Sequence, residues 1–100
     1  MFIGPASVSD EKSTSGSITT RTSFLHGIEV LPPVTGTATV KIYDSEDSNT
    51  SGKRAIALVT VADGMNSVYI EFSTPRVANR GIYCVLSGSA TTYTVGYSLT

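Results

Sequence analysis

The sequence predicts an all-β protein: a single antiparallel β-sandwich or jelly-roll-like domain over residues 18–100, preceded by a flexible N-terminal arm over residues 1–17. Three observations lead there. Apolar and polar residues alternate with a period of two through most of the chain, as they do on a half-buried strand. Turn residues break that alternation at intervals of roughly 10 to 15 residues, a spacing that suits antiparallel neighbours joined by short loops. No stretch repeats its apolar residues at helical spacing. At 100 residues the chain has material for one domain.

The arm comes first. Residues 4–17 read GPASVSDEKSTSGS, with Val8 the one apolar residue of any size. Such a segment buries too little to offset its ordering entropy unless a partner or neighbouring subunit holds it. Beyond it, Phe24, His26, Ile28 and Val30 fall on one face of an extended run that Pro32-Pro33 ends. Ala38, Val40 and Ile42 alternate with Thr37, Thr39, Lys41 and Tyr43 in the clearest half-buried strand of the chain. Residues 54–62 are rich in alanine, yet β-branched Ile56, Val59 and Val61 and the turn Asp63-Gly64 favour a strand over a short helix.

Val68, Ile70 and Phe72 alternate with Tyr69 and Glu71 until Pro75 closes the segment. The run Ile82–Leu86 is apolar on both faces and therefore central, and Tyr93, Val95, Tyr97 and Leu99 mark a last strand. Six or seven strands are expected. The turns fall at Gly36, Ser51-Gly52, Asp63-Gly64, Asn79 with Gly81, and Ser87-Gly88.

Charged residues make up 15% of the chain, while 14 serines and 14 threonines supply hydroxyls to cover the surface. Seven Lys and Arg against eight Asp and Glu leave a formal charge of −1, which offers no basic footprint for nucleic acid and no polybasic membrane patch. The first residues lack a basic and then apolar leader pattern, and no stretch nears the roughly 18 apolar residues of a membrane span. Synthesis in a cytoplasm is the expectation, and Asn49-Thr50-Ser51 reads as a polar turn before it reads as a glycosylation acceptor. Cys84, being the sole cysteine, can form no internal disulfide.

Catalysis finds little to work with. His26 is the only histidine, and it sits in phase with apolar neighbours, where packing is the commoner role. Cys84 lies in phase with Ile82 and Leu86 and reads as a small buried hydrophobe. The loop Asp44-Ser45-Glu46-Asp47-Ser48-Asn49 carries several oxygen ligands for calcium, but Asn49 and Ala55 stand where an EF-hand needs glycine and a bidentate glutamate. Glu29 and Glu71 form no recognisable glycosidase pair, and Lys53, Arg54, Arg76 and Arg80 are scattered cations. No enzyme, metal or cofactor is expected. The five tyrosines are more informative, because tyrosine serves interfaces that need an apolar ring and a wet hydroxyl together. Tyr43 and Tyr69 alternate against the apolar set and are expected to face outward.

The segments Gly36-Thr37-Ala38-Thr39-Val40-Lys41-Ile42-Tyr43-Asp44-Ser45 and Arg80-Gly81-Ile82-Tyr83-Cys84-Val85-Leu86-Ser87-Gly88, with Ser73-Thr74-Pro75-Arg76 between them and a Thr-rich last strand, resemble small virion structural proteins of tailed bacteriophages. The likeness covers roughly residues 18 to 100. It implies a capsid decoration, or cement, protein that binds the outer shell and bridges capsid subunits. The major capsid protein is then the partner, the capsid surface the location and the host cytoplasm the place of synthesis. Self-association is also implied, with trimers and monomers both known in that role. A tail- or fibre-associated module that binds a receptor or carbohydrate is the alternative. Physics, not the resemblance, nominates partner-binding residues: Val8, Asp10, Glu11 and Lys12 in the arm, and Tyr43 and Tyr69.

Overall fold

The alternation becomes strand wherever one row of side chains can be buried. The computed structural model describes residues 7–9 and 11–100. Among them run β1 (Ser7–Val8), β2 (Gly16–Thr19), β3 (Ser23–Val30), β4 (Thr37–Asp44), β5 (Ala55–Ala62), β6 (Val68–Ala78), β7 (Ile82–Gly88) and β8 (Tyr93–Leu99). They form two antiparallel sheets of four, ordered β1-β8-β3-β6 and β2-β7-β4-β5. First pairs with last throughout: β1 with β8, β2 with β7, β3 with β6 and β4 with β5. Two further pairings, β3 with β8 and β4 with β7, complete the sheets.

The inner faces share one core. Leu25, Ile28, Val30, Tyr93 and Val95 of the first sheet meet Val40, Ile42, Ile56, Val61, Ile82 and Cys84 of the second, all buried. Each large side chain taken out of water there contributes about 1.5–3 kcal/mol. The shortest dimension of the molecule is 20 Å, which fits two sheets about 10 Å apart with side chains outside. The result is a compact all-β domain of two antiparallel sheets.

Four details differ from a plain period-two reading. Two short strands, β1 and β2, bring the number among the described residues to eight. In β3 the buried side chains are Ser23, Leu25, Ile28 and Val30, while Phe24 and His26 lie half-buried on the outside. The cause is a bulge: Leu25 opposes Tyr97 and Gly27 opposes Gly96, so His26 is an extra residue and the pleat inverts across it. Pro75 does not end β6, which continues to Ala78. Between Arg76, opposite Leu25, and Glu71, opposite Gly27, residues 72–75 of this edge strand have no partner in β3, so the missing proline N–H costs no ladder bond.

The fourth difference concerns the N-terminal segment, whose described part, residues 7–9 and 11–17, lies along the edges of both sheets. Ser9 exchanges bonds with Val95, its N–H donating to the carbonyl and its Oγ accepting the Val95 N–H, each at 2.9 Å. Lys12 and Tyr93 exchange backbone bonds at 2.8 and 2.9 Å, and the Ser15 hydroxyl accepts the Leu86 N–H at 2.8 Å. Main-chain and hydroxyl groups bind this segment, so its poverty in apolar side chains does not prevent pairing. Asp10 lies outside the described residues.

Candidate functional site

Cross-strand register sets which outward residues become neighbours. On the outer face of the second sheet Tyr43 stands opposite Tyr83, Lys41 between Val85 and Leu58, and Thr39 between Ser87 and Thr60. Tyr43, Tyr83 and Val85 are half-buried, and Leu58 is 61% exposed. Hydroxyls extend the patch, with Thr39 and Thr60 joined Oγ1 to Oγ1 at 3.2 Å. Lys41 is the one formal charge in these cross-strand rows, and its Nζ lies 5.1 Å from the Tyr43 ring centroid, where the π face takes up part of its field. Alternation placed aromatic, apolar and hydroxyl side chains in contiguous rows here. Such a face can be covered by another protein with little desolvation of charge.

The other outer face differs. Glu29 stands between Tyr69 and Thr94, and the Tyr69 hydroxyl donates to Glu71 Oε1 at 2.8 Å. Desolvation first, then that hydrogen bond and the carboxylates of Glu71 and Glu29, push the Tyr69 hydroxyl above the ordinary phenol range. The two tyrosines expected to face outward therefore do face outward, but from opposite sheets. One flat contact cannot use both. Val8 is 51% exposed on β1, Glu11 is exposed, and Lys12 is half-buried with its backbone held by Tyr93. Glu11 also shares a hollow of about 60 Å³ with Glu29, Leu31, Thr92, Tyr93 and Thr94, room for a water or two and not for a sugar ring.

The residues weighed for chemistry are mostly occupied. His26 Nε2 lies 2.7 Å from Ser98 Oγ, a pairing hidden at the level of sequence because the two are 72 positions apart. Among the described residues no carboxylate orients His26, so the pair lacks the third group of a triad. Cys84 is fully buried, and burial pushes its thiol up to about 12. Burial raises the Tyr93 hydroxyl as well, and that hydroxyl donates to the Thr14 carbonyl at 2.7 Å.

In the acidic loop, Asp44 is buried and its Oδ1 accepts the Arg80 N–H at 2.7 Å, while Asp47 Oδ1 accepts the Asn49 N–H at 3.0 Å. Those oxygens shape the loop. Among the described residues no group of three or more His, Cys, Asp or Glu could hold a metal ion. Among the described residues no helix is long and apolar enough to cross a membrane.

A last feature was invisible in the sequence. Arg54, just before β5, and Arg76, on β6, reach across the gap between the edges of the two sheets. The Arg54 Nη2 donates to the Val77 carbonyl at 2.6 Å, and the Arg76 Nη1 donates to the Ile56 carbonyl. Together with Ala55, Ile56 and Val77 they line a cleft of about 360 Å³.

Compared with known proteins, the chain matches no family model, no curated protein and no solved structure.

Proposed function

We propose that the chain is a non-enzymatic virion structural protein, a capsid decoration protein that binds the outer shell through the second sheet's outer face and stabilises it by bridging capsid subunits. That low-charge face of Tyr43, Tyr83, Val85 and Leu58 is the observation that carries the reading. Its rows are long enough for a flat protein contact and have a single charge to desolvate. The fold agrees. A chain that pairs its first strand with its last, its second with its seventh and so on is one long hairpin, and folding that hairpin over itself gives the orders β1-β8-β3-β6 and β2-β7-β4-β5. We read this strand order as a jelly-roll arrangement, a frequent design in viral capsid and lectin domains. The resemblance to small tailed-phage virion proteins points the same way.

The partner in this reading is the major capsid protein, with self-association on the particle as a second contact. Repetition over a symmetric shell raises avidity well beyond one weak contact. A receptor- or carbohydrate-binding module in a tail or fibre calls for aromatic rings around a loop cluster. Every aromatic residue from Phe24 onward lies instead within a strand. Quantitative mass spectrometry on purified particles of the source phage tests the proposal. Copy numbers comparable with the major capsid protein are expected. A few copies per particle move the protein to the tail or fibre, and absence from the particle overturns both virion readings.

A further inference from the structure

We infer that the cleft between Arg54 and Arg76 is a carboxylate-binding site that takes an acidic side chain of a partner polypeptide. The strands that flank it, β5 and β6, are the edges of different sheets, and each arginine crosses to the opposite edge. That clasp uses one nitrogen from each guanidinium, and a guanidinium has five N–H donors in a planar fork. Both arginines line a cleft of about 360 Å³ whose other walls, Ala55, Ile56 and Val77, carry no charge.

Both cations are also held in place. The Arg76 guanidinium carbon lies 4.2 Å from the Phe72 ring centroid, which fixes its plane. Among the described residues no carboxylate pairs with Arg76. Arg54 has only the long contact to Asp44 Oδ2, at 3.9 Å, and its side chain is 61% exposed. Two pre-positioned forks beside apolar walls suit the planar, bidentate geometry of a carboxylate on a peptide. With a formal net charge of −1 the chain has no wider basic field to hold an extended polyanion. The site is separate from the outer sheet face, and its test needs no particle, so its failure leaves the shell-binding reading standing.

The test is chemical-shift mapping on the intact, isotope-labelled chain, titrated with a blocked tetraglutamate peptide. A blocked tetraglutamine peptide and inorganic phosphate, at matched ionic strength, are the comparisons. Saturable shifts centred on Ala55, Ile56, Arg76 and Val77 with tetraglutamate alone are expected. Arg76→Gln is expected to weaken that binding by at least about tenfold, and Arg54→Gln to weaken it too. No saturable shift at these amides overturns the site. So does phosphate binding as tightly as the peptide, or a folded Arg76→Gln variant that keeps full affinity. The mapping on the unmodified chain decides the matter even if a variant loses its clasp and unfolds.

Discussion

Ser23 and Cys84 show how single buried atoms set stability in a core this small. The Ser23 hydroxyl is fully buried and, among the described residues, its Oγ is the one buried side-chain polar atom without a partner. Burying a hydroxyl unpaired is unfavourable, so Ser23→Ala is expected to raise unfolding free energy by about 1 kcal/mol, read by urea denaturation. A lower midpoint would mean that the hydroxyl has a partner after all. For Cys84 the consequence is pH-dependent. Its thiol ionises near 9.0 when unfolded but only at about 12 when folded, so between those values the unfolded chain binds fewer protons. Stability from this group is whole below pH 9 and falls above it, by up to about 1.4 kcal/mol per pH unit. Urea midpoints measured from pH 8 to pH 11 should show this decline, and Cys84→Val should defer it to the range where Tyr93, also raised, begins to act.

Elements explain where the sequence could be read and where it could not. β4 and β7 were legible because both are interior strands with a strict alternation: Ala38, Val40 and Ile42 go inward, as do Ile82 and Cys84. β3 was legible as a strand but not in its phase, because the bulge at His26 depends on pairing with β8, some 70 residues away. The N-terminal segment was illegible for a different reason. Its anchors are backbone groups and the hydroxyls of Ser9 and Ser15, which leave no apolar pattern. Deleting residues 1–15 removes those bonds and the acceptor of the Tyr93 hydroxyl. The expected cost is about 3 kcal/mol with β-rich circular dichroism retained, whereas an unchanged urea midpoint would show that the segment adds nothing to the fold.

For the whole molecule, the two outer faces make the decisive contrast. Glu29 and Glu71 mark one, while Lys41 is the single charge in the central rows of the other. If the second sheet's face docks on a shell, the double variant Leu58→Glu with Val85→Glu should fold yet lose particle binding by at least about a hundredfold, since buried unpaired carboxylates are strongly unfavourable at an interface. Tyr69→Glu, on the opposite face, should bind as the unmodified protein does. Sedimentation of each variant with undecorated particles reads both outcomes, and the reverse pattern would transfer the contact to the first sheet.

The candidate sites divide along the same line. Outward tyrosines follow from alternation, so Tyr43 and Tyr69 could be placed on surfaces from the sequence. Their assignment to different sheets, the pairing of Tyr43 with Tyr83, the His26–Ser98 contact and the Arg54–Arg76 cleft could not, since each joins residues through strand order. The sequence by itself determined the all-β class, most strand positions and the low-charge, hydroxyl-rich surface, because these depend on local period, turn chemistry and composition. Only the tertiary structure decided the first-with-last pairing, the bulges and the clasp across the sheet edges. Those depend on which distant strands meet, and residue-level alternation is the same for every strand order that buries the same faces.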